Sequence, residues 1–116
     1  TDGSDKALDT VRKDAYLASR CDCPVSIISV AMGVEGKDEA EANVEIARKE
    51  LAAMNINVVN AITRVGKPVD EIIEVGTDYS VIVVSDSGKS GLKRLILGSV
   101  ATKVLQEAYT SVMVVR

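Results

Sequence analysis

The stretch VIVVSDSGKSGLKRLILGSVATKV, residues 81–104, decides how the chain is read. Val81-Ile82-Val83-Val84 is an unbroken β-branched run that leads into a segment rich in glycine and basic side chains, and Gly98-Ser99 then opens a new apolar run. Such a run, bounded by turn residues, reads as a strand buried on both faces, followed by a loop and a helix. A glycine-rich turn between a strand and a helix is a place for an anion. Glycines let backbone N–H groups approach closely, and a helix N-terminus adds partial positive charge, worth roughly 0.3–1 kcal/mol near the surface. Lys89, Lys93 and Arg94 lie between Gly88 and Gly98 and can reach a polyphosphate. The same spacing also fits a chain that simply turns at Gly88 and Gly91, with solvated cations around it. The segment is neither G-x-x-x-x-G-K-[ST] nor G-x-G-x-x-G, so it is not a P-loop or a dinucleotide fingerprint.

Outward from this stretch, helical and strand patterns alternate. Ser4 to Arg20 reads as a helix, with Ala7 or Leu8, Val11, Ala15 and Ala18 on one face and Ser4 or Asp5 as its cap. Pro24 ends any continuation, and Val25 to Ala31 is a β-branched strand. Asp38 to about Asn55 is a second helix, carrying Ala40, Val44, Ala47, Leu51 and Met54 on one face and a capping box of Asp38 with Glu41. A strand follows over residues 57–64. Pro68 to Val75 is a short helix that begins on proline and stops at Gly76. After the strand Val81 to Ser85, the last helix starts at Ser99 with Val100, Val104, Leu105 and Ala108 facing inward, and Ser111 to Arg116 closes the chain as a strand. This alternation predicts a single α/β domain over residues 1–116, with a parallel sheet between helical layers.

Composition narrows the chemistry. The chain has 116 residues, 47% of them apolar, with no Phe or Trp and three Tyr. An aliphatic core of this kind suits a parallel sheet covered by helices. The net charge of −3 argues against general nucleic-acid binding, and so few aromatics leave no stacking platform for single strands. No run of about eighteen apolar residues is present, so no membrane span is expected, and no signal peptide is evident. Cys21 and Cys23 are the only cysteines, which suggests no disulfide scaffold and a cytoplasmic setting. With no histidine, the chain builds no Ser-His-Asp triad, Cys-His pair or His-liganded zinc site.

The loop resembles that of the universal stress protein family, which reads G-x-x-G, nine residues, then G-[ST]. Here Gly88 is followed by nine residues and then Gly98-Ser99. The tail LILGSVATKVL, the closing SVMVVR and the opening TDGSDKALDTVRKDAYLA also fit, so the resemblance covers essentially the whole chain. It implies a Rossmann-like three-layer sandwich whose parallel sheet has strand order 3-2-1-4-5. In nucleotide-binding members it also implies an adenosine end at Thr1 and Asp2, an adenine slot at Val30, and phosphates held by Gly88, Lys89, Gly98, Ser99 and Val100. Ser85 stands where the family has its first loop glycine, and its hydroxyl can donate to a phosphate in place of a bare backbone. Two residues have plain alternatives: Asp2 as part of the first helix cap, and Val30 as core.

The implied function is a nucleotide-responsive stress or signalling module that binds ATP, or AMP or ADP, with Mg²⁺ carried on the phosphates. Two alternatives are a homodimeric interaction protein of the same fold that binds no nucleotide, joined through the 111–116 strand, and a slow ATPase. The resemblance aligns Thr1-Asp2 with the end of the family's first strand, so only four strands are expected here, and the absent one is the central strand. Its loss leaves roughly 10 Å between the strands 25–31 and 81–85, given a neighbour spacing of about 4.8 Å. The expectation is an apolar strand of about five to seven residues immediately before Thr1, and no direct pairing between those two strands.

Overall fold

The computed structural model describes residues 1–86 and 97–116. The helices are α1 (Asp5–Cys21), α2 (Lys37–Ala53), α3 (Pro68–Gly76) and α4 (Ser99–Glu107), and the strands are β1 (Val25–Ala31), β2 (Val58–Val65), β3 (Val81–Ser85) and β4 (Ser111–Val115). A single 3-10 turn, Val34–Gly36, lies between β1 and α2. The chain therefore runs α-β-α-β-α-β-α-β, and every strand pairing is parallel.

Local chemistry explains the boundaries. Ser4 caps α1, its hydroxyl accepting from the Ala7 N–H at 3.2 Å. Gly3 just before it has φ +81°, a left-handed conformation open to glycine, and a Cβ there would collide with the Asn43 carboxamide. At its other end α1 stops on Asp22, which is left-handed (φ 56°) and donates its N–H to the carbonyls of Ala18 and Ser19. Pro68 occupies the first turn of α3, where its missing N–H costs nothing.

Two expectations about helices are corrected. Helix α2 is capped by Gly36 without any side-chain bond, because the preceding 3-10 turn already leads the backbone into the helix, so the Asp38–Glu41 capping box does not form. Ala40, Val44, Ala47 and Leu51 are buried as the period requires, but Met54 is the C-cap and lies outside the stripe, partly exposed. In α4 the buried residues are Ala101 and Val104, while Val100 and Leu105 face solvent. A helix of nine residues buries a narrower face than four apolar positions suggest.

The strands form two separate parallel pairs. In the first, Ile27 of β1 lies opposite Ala61 and Val30 opposite Arg64 of β2; in the second, Val83 of β3 lies opposite Met113 of β4. Among the described residues β1 and β3 are not hydrogen-bonded to each other. Helices join the halves: α1 packs on both α2 and β3, and α3 packs on both β1 and α4. The largest buried cluster, Ala15, Val25, Ile27, Val44, Ala47 and Leu51, ties α1, β1 and α2 together.

Between the two pairs lies a cavity of about 600 Å³, walled by β1 and β3 and covered by α1 and α3. Asp14 of α1 is part of its lining, and burial pushes this carboxyl above the usual aspartate range. A raised native value means that folding favours the protonated form. The cost is absent below the ordinary aspartate value of 3.8 and grows as pH rises above it through the native value. Asp14→Asn is therefore expected to raise the urea midpoint at pH 7 more than at pH 4. Equal gains at the two pH values would show that Asp14 is not desolvated.

Candidate functional site

The residues singled out in the sequence collect at the carboxyl ends of the strands. Thr1 and Asp2 lie at the start of α1, Val30 is the penultimate residue of β1, Ser85 ends β3, and Gly98, Ser99 and Val100 begin α4. Gly88 and Lys89, with Gly91, Lys93 and Arg94, lie outside the described residues. In open parallel sheets ligands gather at this edge, because loops and helix N-termini both converge there.

At the first segment the Thr1 amino group donates to the Ile28 carbonyl at 2.6 Å. Loss of water lowers the pKa of this amine, and the adjacent Asp2 carboxylate offsets part of that shift. Asp2 accepts the Ser4 N–H at 2.9 Å through Oδ1. The carboxylate thus braces the turn ahead of α1, so the reading of Asp2 as part of the helix entry holds in this structure. Val30 is half-buried in β1.

The second segment is organised by Asp86, the residue after β3. Its N–H donates to the Val115 carbonyl at 3.0 Å, extending the β3–β4 ladder, and its own carbonyl accepts the Gly98 N–H at 2.6 Å. The Asp86 side chain is almost fully buried and forms an ion pair with Lys6 of α1, Nζ to Oδ1 2.8 Å. One residue therefore holds the end of β3, the end of β4, the start of α4 and the first turn of α1. Gly98 is the N-cap of α4 (φ −62°, ψ 159°) and brings no side-chain bond to the first turn. Gly98 itself is buried, while Ser99 and Val100 are exposed. The helix thus presents its opening N–H groups without a capping oxygen of its own, which is the arrangement that receives an external anion.

Lys6 is the functional-edge residue that the sequence pattern missed. Nothing local marks it: it is one charged residue in the first turn of an amphipathic helix, and its partner lies far along the chain. Asp86 is visible as the carboxylate of the loop, but its burial is a product of the fold. Among the described residues no group of three or more His, Cys, Asp and Glu side chains gathers as a metal site. Cys21 and Cys23 are exposed free thiols at the opposite end of β1, and no described helix is long and apolar enough to cross a membrane.

Comparison with known proteins gives a consistent picture. The model of the Universal stress protein family matches residues 1–116. Universal stress protein MJ0531 of Methanocaldococcus jannaschii is 28% identical, over 100% of this chain and 78% of that protein. A universal stress protein crystallised in complex with cAMP superposes with a TM-score of 0.77 at 27% identity, covering 100% of this chain and 91% of the other. The structure of MJ0577, from the same archaeon and solved for a structure-based assignment of biochemical function, gives 0.82 at 27% identity, covering 99% and 90%.

The two ends of the ion pair differ in exposure, and this sets an order of stability. Lys6→Met takes the cation from a buried carboxylate, whereas Asp86→Asn leaves a lysine that is 36% exposed and can turn to water. Lys6→Met is expected to cost more stability than Asp86→Asn, by about 1–2 kcal/mol in urea denaturation. Equal costs, or the reverse order, would mean that the pair does not organise this edge.

Proposed function

Because this chain belongs to the universal stress protein family, we propose that it binds an adenine nucleotide, ATP or its hydrolysed forms, as a nucleotide-responsive module. The observation that carries the reading is the start of α4, where a buried glycine N-cap without a side-chain cap is followed by exposed Ser99 and Val100 at the carboxyl end of β3. That geometry suits a phosphate, with the Ser99 hydroxyl as a further donor. The protein solved with cAMP supports the adenine nucleotide as the ligand class.

In this reading the nucleoside lies toward Asp2 and Val30 and the phosphates toward Gly98, Ser99 and Val100. Ser85 closes the strand end between them, and Gly88 and Lys89 contribute from the loop. Mg²⁺, when bound with the nucleotide, would neutralise phosphate charge while keeping most of its waters. Hydrolysis is disfavoured by the environment of Asp86. A general base must reach the attacking water, yet this carboxylate is 3% exposed and engaged with Lys6.

The proposed orientation separates two substitutions. Asp2→Ala should weaken adenosine and ATP alike, because it acts at the nucleoside end. Gly98→Val should reduce ATP affinity about tenfold or more while leaving adenosine nearly unchanged, because a branched side chain intrudes where backbone meets phosphate. Calorimetric titration of both variants with both ligands distinguishes them. Identical losses for both ligands in both variants would refute the orientation, and wild-type protein that binds neither ligand would refute the function.

A second reading is a homodimer through β4 that needs no nucleotide. Among the described residues β4 pairs with β3 alone, and it carries Val112, Met113 and Val114 with Met113 40% exposed. An open apolar strand edge invites pairing. Val114→Lys is expected to yield monomer in sedimentation at micromolar concentration. A dimer that persists in this variant would remove β4 as the interface.

A further inference from the structure

We propose that Cys21 and Cys23 form a redox-responsive pair: a dithiol that a small organic disulfide converts into an intrachain disulfide spanning Asp22. The pair lies away from the candidate nucleotide site, at the end of α1 where the chain passes into β1. Both cysteines are free and exposed. Both also belong, with Pro24, to the lining of the cavity. A small reactant therefore reaches either sulfur from solvent.

The turn that ends α1 sets the spacing of the two cysteines. Asp22 is left-handed (φ 56°, ψ 38°), and its N–H donates to the carbonyls of Ala18 and Ser19. The Cys23 N–H donates to the Ala18 carbonyl at 2.9 Å. These bonds close the helix end and hold the backbone between the cysteines in one conformation. With trans peptide bonds on both sides, the separation of the two flanking Cα atoms depends on the φ and ψ of Asp22 alone. Its dihedrals mirror those of an α-helix, in which Cα atoms two residues apart lie about 5.4 Å from each other. Disulfides join Cα atoms roughly 4.4–6.8 Å apart, so the spacing fits. The Cys23 side chain already turns back toward its partner, its S–H donating to the Cys21 carbonyl at 3.7 Å.

Chemistry favours a disulfide over a metal at this pair. Two sulfurs leave zinc short of its four ligands, and among the described residues no group of three or more His, Cys, Asp and Glu side chains gathers. The pair also stands at the carbonyl end of α1, where negative charge is disfavoured. A two-thiolate complex of a monovalent soft cation would carry net negative charge there, whereas a disulfide is neutral. Nor would the bond be a scaffold, since a ring closed around one residue constrains almost none of the chain. In reducing surroundings, bonds of this kind serve as transient redox sensors. The step balances with the small disulfide as oxidant. The thiolate of one cysteine attacks a sulfur of that disulfide and releases one thiolate; the other cysteine attacks the mixed disulfide and releases the second. The two thiol protons pass to the two released thiolates. The protein loses two electrons, and the small disulfide gains them.

The test equilibrates the full chain, reduced and with a chelator present, in mixtures of reduced and oxidised glutathione. Free thiols are then trapped with N-ethylmaleimide, and the tryptic peptide of residues 21–37, which holds both cysteines, is weighed. The expected product is that peptide less two hydrogens, from protein that remains monomeric. Its equilibrium constant against glutathione should be higher by about tenfold or more in the folded chain than in the chain unfolded by urea, because the turn preorganises the pair only in the folded state. Cys21→Ser and Cys23→Ser should each stop at a single glutathione adduct. Two adducts per chain as the main product, or disulfides formed only between chains, would overturn the proposal. Equal constants in folded and unfolded chains would overturn it too, since any C-x-C segment would then behave alike. None of these readouts uses nucleotide, so the outcome is separate from that of the nucleotide titrations.

Discussion

The contact between Lys6 and Asp86 is the constraint on which the carboxyl edge of the strands depends. Among the described residues no backbone ladder joins β1 to β3. Among those residues the halves are joined by the helices and, at the carboxyl edge, by contacts that include the ion pair from α1 to the end of β3 and the bond from Lys13 to the Arg116 carbonyl. A nearly buried carboxylate is costly without a cation close by. Its location is therefore restrictive: α1 must present Lys6, the chain must turn at Asp86, and Gly98 must approach close enough to bond the Asp86 carbonyl. These requirements set where α4 begins, and so where an anion could be received.

The same contact shapes the electrostatics. The chain as a whole is acidic, with a net charge of −3. A bare carboxylate at this edge would repel an anion; paired with Lys6, it contributes less net field. What remains nearby is the start of α4 and, in sequence, the cations Lys89, Lys93 and Arg94. Local charge of this kind would favour a phosphate without the clustered positive field of a general polyanion binder.

The sequence was most legible where one period and one environment coincide. The runs 25–31 and 81–85 give β1 and β3 to the residue, because β-branched runs bounded by turn residues leave little ambiguity. The stripe from Ala40 to Leu51 gives the core face of α2. Reading failed where local pattern and tertiary context diverge. Val100 and Leu105 satisfy a helical period, but α4 is short and meets the rest of the protein through Ala101 and Val104. Met54 satisfies it too, one residue after the helix has ended. The Asp38–Glu41 box was plausible by composition, yet a 3-10 turn formed ahead of it. Of the site, the glycine start of α4 and the Asp2 turn were legible, because both rest on local backbone chemistry. Lys6–Asp86 was not, because its two residues are brought together by the fold alone.

The division of the sheet also ties stability to the site. Thr1 lines the cavity and is bonded to β1, while Asp2 is bonded to the turn into α1. Asp2 and Gly98 reach this edge by different routes, the first through the Thr1 bond to β1 and the turn into α1, the second through Asp86 after β3, and the Lys6–Asp86 pair ties the two routes together. A ligand that touches both segments would act across the divide, and its binding energy would include the work of holding the two half-sheets in register.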